Sequence, residues 1–99
     1  MKATSLLHVD NERVIVTEWR FAPGAETGHH VHAHDYVVVP LTDGTLSADG
    51  VERPLLAGQA YARPAGVAHN VVNTSAGEFR FVEIELKSTT HPSTTQGES

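Results

Sequence analysis

Apolar residues along this chain come in short β-branched and aromatic runs separated by turn signals. No window carries them at i, i+3, i+4 and i+7 for three turns, so no helix is expected. Val14 to Phe21 reads as a strand with two faces, Val14 and Val16 on one and Ile15, Thr17, Trp19 and Phe21 on the other. Pro23-Gly24 follows and suits a type II turn. His30 to Leu41 reads as extended and contains the apolar run Tyr36-Val37-Val38-Val39. Asp43-Gly44 predicts a tight hairpin turn. Thr45 to Ala48 returns, Asp49-Gly50 turns again, and Val51 to Leu56 continues. Gly58 to Arg63 predicts another strand, closed by Pro64-Ala65-Gly66. His69 to Asn73 is a strand, Thr74 to Gly77 a loop, and Glu78 to Leu86 the last strand. Turns spaced roughly 8–12 residues apart predict an all-β sandwich or barrel.

From position 88 the chain reads Ser-Thr-Thr-His-Pro-Ser-Thr-Thr-Gln-Gly-Glu-Ser. It has almost no apolar side chains to offset the entropy of ordering, which predicts a disordered tail over 88–99 that includes His91. A single domain is expected over 1–87. A chain of 99 residues suits one domain with one modest core.

There are no cysteines, which excludes disulfides, thiolate metal sites and cysteine nucleophiles. Seven Lys and Arg stand against twelve Asp and Glu, for a net charge of −5. The charges are dispersed, with no basic stripe, so no nucleic-acid partner is expected. The stretch Met1 to Asp10 has too short an apolar run for a signal peptide. No segment approaches the ~20 apolar residues of a membrane span. A cytoplasmic protein without a membrane partner is the expectation.

One departure from ordinary composition carries chemistry. Histidine occurs seven times, and His29, His30, His32 and His34 crowd into one short stretch. In an extended strand, residues i and i+2 share a face, so His30 and His32 project together. That is how one strand offers two imidazoles to one ion. His34, Tyr36 and Val38 share that parity unless a bulge intervenes, and His29 points the other way. A third ligand must come from elsewhere. From Gly58 the chain runs through Pro64 and Gly66 to His69 and Asn73. A strand, a Pro-Gly reversal and a second strand opening on histidine would bring His69 beside His30 and His32 in a closed barrel.

These residues resemble the two motifs of the cupin family. The second motif, G-x5-P-x-G-x2-H-x3-N, matches in full at Gly58, Pro64, Gly66, His69 and Asn73. With this chain's own composition, five such matches at one placement have a chance on the order of one in a million. The first motif, G-x5-H-x-H-x3,4-E-x6-G, matches at Gly24, His30 and His32, with Gly44 as its closing glycine. The motif glutamate is missing. Its place falls on Tyr36 or Val37, depending on the spacing after His32, and strand parity favours Tyr36 as the inward residue. The resemblance implies a double-stranded β-helix, or jelly-roll, barrel. It implies a divalent metal ion inside, held by His30, His32 and His69. It also implies pairing into a homodimer, as small cupins commonly do.

Three neutral imidazoles without a carboxylate leave the full charge of the ion facing the cavity. Such a site favours small anionic or chelating molecules. Three-histidine cupins are associated with dioxygenases, so the resemblance points first to Fe2+ and oxygenase chemistry, with Tyr36 as proton donor or orienting group. Zn2+, Mn2+ and Ni2+ are the alternatives, and zinc would imply an isomerase, lyase or hydrolase. A binding module without turnover and a structural dimer are the competing classes. Arg63 shares a strand face with Tyr61, and parity alone leaves open whether that face looks inward. Arg63 and His34 are the candidate pocket residues beyond the ligands. Asn73 is expected to hold the second motif by hydrogen bonding, and Trp19, Phe21, Phe79 and Phe81 to form core or a dimer face.

Overall fold

A computed structural model of the chain describes residues 1–87. These residues form strands and no helix: β1 (Thr4–Asp10), β2 (Val14–Phe21), β3 (His30–Val31), β4 (Asp35–Pro40), β5 (Gly44–Ala48), β6 (Val51–Leu55), β7 (Tyr61–Arg63), β8 (Ala68–His69), β9 (Val71–Asn73) and β10 (Phe79–Leu86). No helix is long and apolar enough to cross a membrane. One antiparallel sheet runs β1-β2-β10-β4-β7, a second runs β6-β5-β9, and β3 pairs with β8 in a short ladder. The expected tail, including His91, lies outside the described residues.

The core sits between the sheets. Phe79 faces Phe21 across β10 and β2, and Phe81 faces Trp19, so the four aromatics share one side. Phe21 and Phe79 are fully buried, and Phe81 and Val38 nearly so, against Leu46 and Val71 from the smaller sheet. Burying a phenylalanine contributes roughly 2–3 kcal/mol. Phe21, Phe79 and Phe81 are therefore core, with Trp19 partly buried against it.

Two local findings depart from the sequence reading. Asp43-Gly44 is not a hairpin. β4 pairs with β10 and β7, whereas β5 pairs with β6 and β9, so the chain crosses between sheets at this point. Glycine is needed there for space: a Cβ on Gly44 would stand 2.7 Å from Phe79 Cδ1 and 2.8 Å from Ser75 Oγ. The hairpin lies at the next turn, where Asp49 (φ 50°) and Gly50 (φ 84°) both take the left-handed conformation of a type I′ turn between β5 and β6. Second, β1 was not expected. It is exposed along its whole length and carries a register shift between Leu7 and Val9 where it pairs with β2. A bulge of that kind erases the alternation by which a strand is read.

Candidate metal centre and cavity

The stretch expected as one strand from His30 breaks after Val31 and resumes at Asp35. The break lets the chain leave the β3–β8 ladder and enter the large sheet. His30 faces His69 directly across β3 and β8. His32 is past the end of β3 but stays locked to the Pro64-Gly66 reversal. Its N–H donates to the Val67 carbonyl at 2.9 Å, and its carbonyl accepts from the Gly66 N–H at 2.8 Å. Both motifs thus serve one purpose, to hold three rings over one point.

The rings converge. His30 Nε2 lies 3.0 Å from His32 Nε2, which lies 3.1 Å from His69 Nε2. The three candidate ligand atoms all lie within 4.8 Å of one another. The donor set has a definite tautomer at His30. Its Nδ1 is 2.9 Å from the Gly28 carbonyl and must donate there, which leaves a lone pair on Nε2. A hydrogen on His32 Nε2 can serve only one of its two close neighbours, whereas a cation serves all three lone pairs at once. Nitrogens about 2.1 Å from one ion stand about 3.0 Å apart at a right angle and about 3.4 Å apart at the tetrahedral angle. Both observed spacings are of the size that nitrogens around one ion require. The residues present therefore fit a divalent ion.

Asn70 fastens this arrangement and had no signal in the sequence reading. It interrupts the strand expected over His69 to Asn73. Its Oδ1 accepts from the Gly28 N–H at 2.9 Å, its Nδ2 donates to Glu26 at 2.8 Å, and its own N–H donates to Asp49 at 3.0 Å. Gly28 is thereby fixed, and with it the carbonyl that orients His30. Asn73 behaves as expected of it. It is 1% exposed, and its amide donates to the carbonyls of Phe21, Ala22 and Gly77 while its oxygen accepts from Ser75.

The triad opens into a cavity of about 520 Å³, within the range of small-molecule sites. Trp19, Val38, Leu46, Val71 and Phe81 supply its apolar wall. Tyr36 lines it and stacks on His32 with centroids 3.8 Å apart and planes 20° apart. The stacking fixes the His32 ring. Burial first, then the Glu83 carboxylate, pushes the Tyr36 hydroxyl up to about 12, so it stays protonated. The open question over β7 resolves by register. Arg63 pairs with Tyr36 and Tyr61 with Val38, so Arg63 and Tyr61 face inward. Arg63 and Arg53 both line the cavity, the latter from β6. The Arg63 guanidinium lies 5.4 Å from the Tyr61 ring centre. His34 is half-buried in the β3–β4 connection and is not among the cavity-lining residues. His29 is exposed, as its parity requires.

Burial, then repulsion from His30 and His69, lowers the His32 pKa to about 4. Burial lowers that of His69 as well. Both shifts favour the neutral imidazole, the form that binds metal.

One residue near the triad was missed by the sequence reading, although it lies outside the group of three ligand atoms. Glu83, on β10, is 8% exposed and faces inward, with Oε2 3.9 Å from His32 Nε2. Burial, then the neighbouring Glu85, pushes its pKa up to about 7, opposed by a hydrogen bond from the Trp19 side chain. A signal was available. Phe79 and Phe81 face the core, and alternation along β10 carries that face on to Glu83.

Residues 17–85 match the family model for the cupin domain. The chain belongs to the cupin family. Its all-β architecture is the double-stranded β-helix of that family. A cupin domain from Bordetella pertussis superposes with a TM-score of 0.85 at 54% identity, covering 88% of this chain and 95% of that one. A cupin superfamily protein from Desulfitobacterium hafniense shares the fold with a TM-score of 0.71 at 19% identity, over 88% and 79% of the two chains. The β-alanine degradation protein BauB of Pseudomonas aeruginosa is 64% identical over 90 residues, 87% of this chain and 95% of that protein. The transcriptional regulator PuuR of Escherichia coli is 31% identical over 71 residues, 70% of this cupin but 38% of the regulator.

Proposed function

We propose that this cupin is a metal-dependent enzyme that binds one divalent ion at His30, His32 and His69 and acts on a small carboxylate. The observation that carries the reading is the convergence of three Nε2 atoms at 3.0 and 3.1 Å spacings on the wall of a cavity of about 520 Å³. Bound there, the ion supplies Lewis acidity toward chelating oxygens and, if it is iron, redox chemistry with dioxygen. Fe2+ is the first ion to test, with Zn2+, Mn2+ and Ni2+ as the alternatives. The chain's own residues do the rest. Arg63 and Arg53 offer charge-assisted hydrogen bonds to a carboxylate. Tyr36 holds His32 by stacking and keeps its hydroxyl proton for donation into the cavity. Trp19, Leu46, Val71 and Phe81 exclude water from the reacting end.

The name of the 64% identical relative places that protein in β-alanine degradation. Carried to this chain, it narrows the substrate to a carboxylate of β-alanine's size or a product of its breakdown. Oxygenation is the first chemistry to test. The second reading is a sensor without turnover, favoured by the match to a domain-sized part of a transcriptional regulator.

Metal analysis of the purified protein tests the first half of the proposal. About one divalent ion per chain is expected, lost in His69→Ala. An oxygen electrode, with small keto acids, thiols and diketones supplied to the Fe2+-loaded protein, tests the second. Oxygen uptake that requires His69 supports the enzyme. Ligand binding without turnover under Fe2+, Mn2+, Ni2+ and Zn2+ moves the assignment to the sensor. A wild-type protein that takes up no divalent ion ends both.

A further inference from the structure

The family's first motif brings a glutamate to its metal, and this chain has Tyr36 and Val37 where that residue belongs. Tyr36 is committed to stacking on His32. Val37 pairs with Ile84 and Ala62 on the far side of the sheet from the core. Neither restores the negative charge. The missing charge stands elsewhere, on a strand outside both motifs.

Glu83 occupies the middle of β10, between Thr17 of β2 and Val38 of β4. A carboxylate at the centre of a sheet, facing a core, costs stability unless a cation answers it. Among the described residues, no Lys or Arg comes within 4 Å of it, and its sole contact with a basic group is His32 Nε2 at 3.9 Å. Every other acidic side chain in an ion pair has a better partner: Glu18 lies 3.0 Å from Arg20, and Asp10 lies 2.7 Å from Lys87. Glu83 is thus a buried acid aimed at the triad with no permanent counterion. Its carboxylate falls outside the tight group of ligand atoms formed by the histidines. It is too far out to be a fourth ligand as placed, and close enough to act through one intervening atom.

We propose that Glu83 is the positioning carboxylate of this metal site, supplying from β10 the charge that the first motif lacks. The inference rests on the metal reading above. It assigns Glu83 two tasks: to offset the charge of the ion, and to accept a hydrogen bond from a water or substrate group that occupies an open position. It also changes what the cavity selects. A protonated donor, such as an amino, hydroxyl or thiol group, is favoured beside the ion. The arginines favour a carboxylate at the other polar feature of the cavity. The ligand class is then a small acid that carries a hydrogen-bond donor in addition to its carboxylate.

The decisive variant is Glu83→Gln, which keeps shape and hydrogen bonding and removes the charge. Co2+ is the probe, read by calorimetry for affinity and by its visible absorption for coordination. Outer carboxylates that orient metal sites are worth about 10–100-fold in affinity. Loss of Co2+ affinity on the order of tenfold is expected, with a shifted cobalt spectrum and partial recovery in Glu83→Asp. The metal-free variant should melt at or above the wild-type temperature, because an unanswered buried charge is gone. Opposite signs for metal affinity and metal-free stability distinguish a positioning residue from a structural one. A loss under about threefold overturns the proposal. So does an affinity loss accompanied by a lower melting temperature of the metal-free protein. Failure of the wild type to bind Co2+, Fe2+, Ni2+ or Zn2+ overturns both this proposal and the metal reading beneath it.

Discussion

At the scale of single residues, the site is a balance between like groups held close. His32 is the most buried of the triad, with a neighbouring imidazole on either side. Its pKa of about 4 and the lowered value of His69 mean that the unfolded chain binds these protons more readily than the folded one. The metal-free protein therefore loses this contribution as pH falls from about 6.5 toward 4. Glu83 acts in the reverse sense. Its value of about 7 against 4.5 makes folding less favourable as pH rises between those limits. The two effects separate in Glu83→Gln, where stability should fall with decreasing pH alone. Carbon-detected NMR of the imidazoles checks it directly: His32 should remain neutral at pH 6 and titrate near pH 4. Titration of His32 near 6.5 would contradict the packing. The same depression moves metal release below the pH near 6 that free histidine behaviour sets, because protons compete less well for these nitrogens. His30, His32 and His69 were legible because the histidine spacing and the second motif are local in sequence. Glu83 lies outside both motifs, so motif reading searched positions 36 and 37 and passed over it.

At the scale of elements, the sheet that carries the core was the most legible part. β2 runs Val14–Phe21 as expected, because its alternation is regular and both ends have turn chemistry. The connections were harder to read. His30 to Leu41 reads as one strand, and the chain instead spends His32 to His34 crossing from a short ladder to the large sheet. Nothing local marks that crossing. Its cause is the distant reversal at Pro64-Gly66, which captures the backbone of His32. Gly44 shows the same limit in another form. Asp-Gly is a hairpin signal by conformation, yet this glycine serves the close approach of Phe79. Gly44→Ala should cost about 1–3 kcal/mol, the usual range for overpacking a filled core. Urea unfolding of the metal-free protein measures it. A variant as stable as the wild type would show that Phe79 yields without cost.

At the scale of the whole molecule, one apolar surface has no cover among the described residues. On the side of the large sheet opposite the core, register places Val14 and Val16 of β2 beside Leu86 and Ile84 of β10, with Val37 and Val39 of β4 next to Ile84 and Val82. Leu6 and Val9 of β1 extend the patch and are exposed. The acid within it, Glu18, is paired with Arg20 at 3.0 Å and Arg80 at 3.4 Å and hydrogen-bonded to His8 at 3.0 Å. We propose that a second copy of the chain covers this face. The proposed pairing would use these aliphatic residues, since Phe21, Phe79 and Phe81 are inside. Light scattering should give twice the chain mass for the wild type and a monomer for Ile84→Lys, with metal binding retained in both. A monomeric wild type at tens of micromolar would contradict the proposal.

The proposed ion ties these scales together, because the ladder, the reversal and the buried acid all converge on the point where the triad would hold it. X-ray absorption at the metal edge of the Fe2+- or Ni2+-loaded protein examines that point most directly. The account requires scattering from three imidazole rings with nitrogens about 2.1 Å from the ion. A spectrum with only oxygen neighbours, or with a single imidazole, would contradict it.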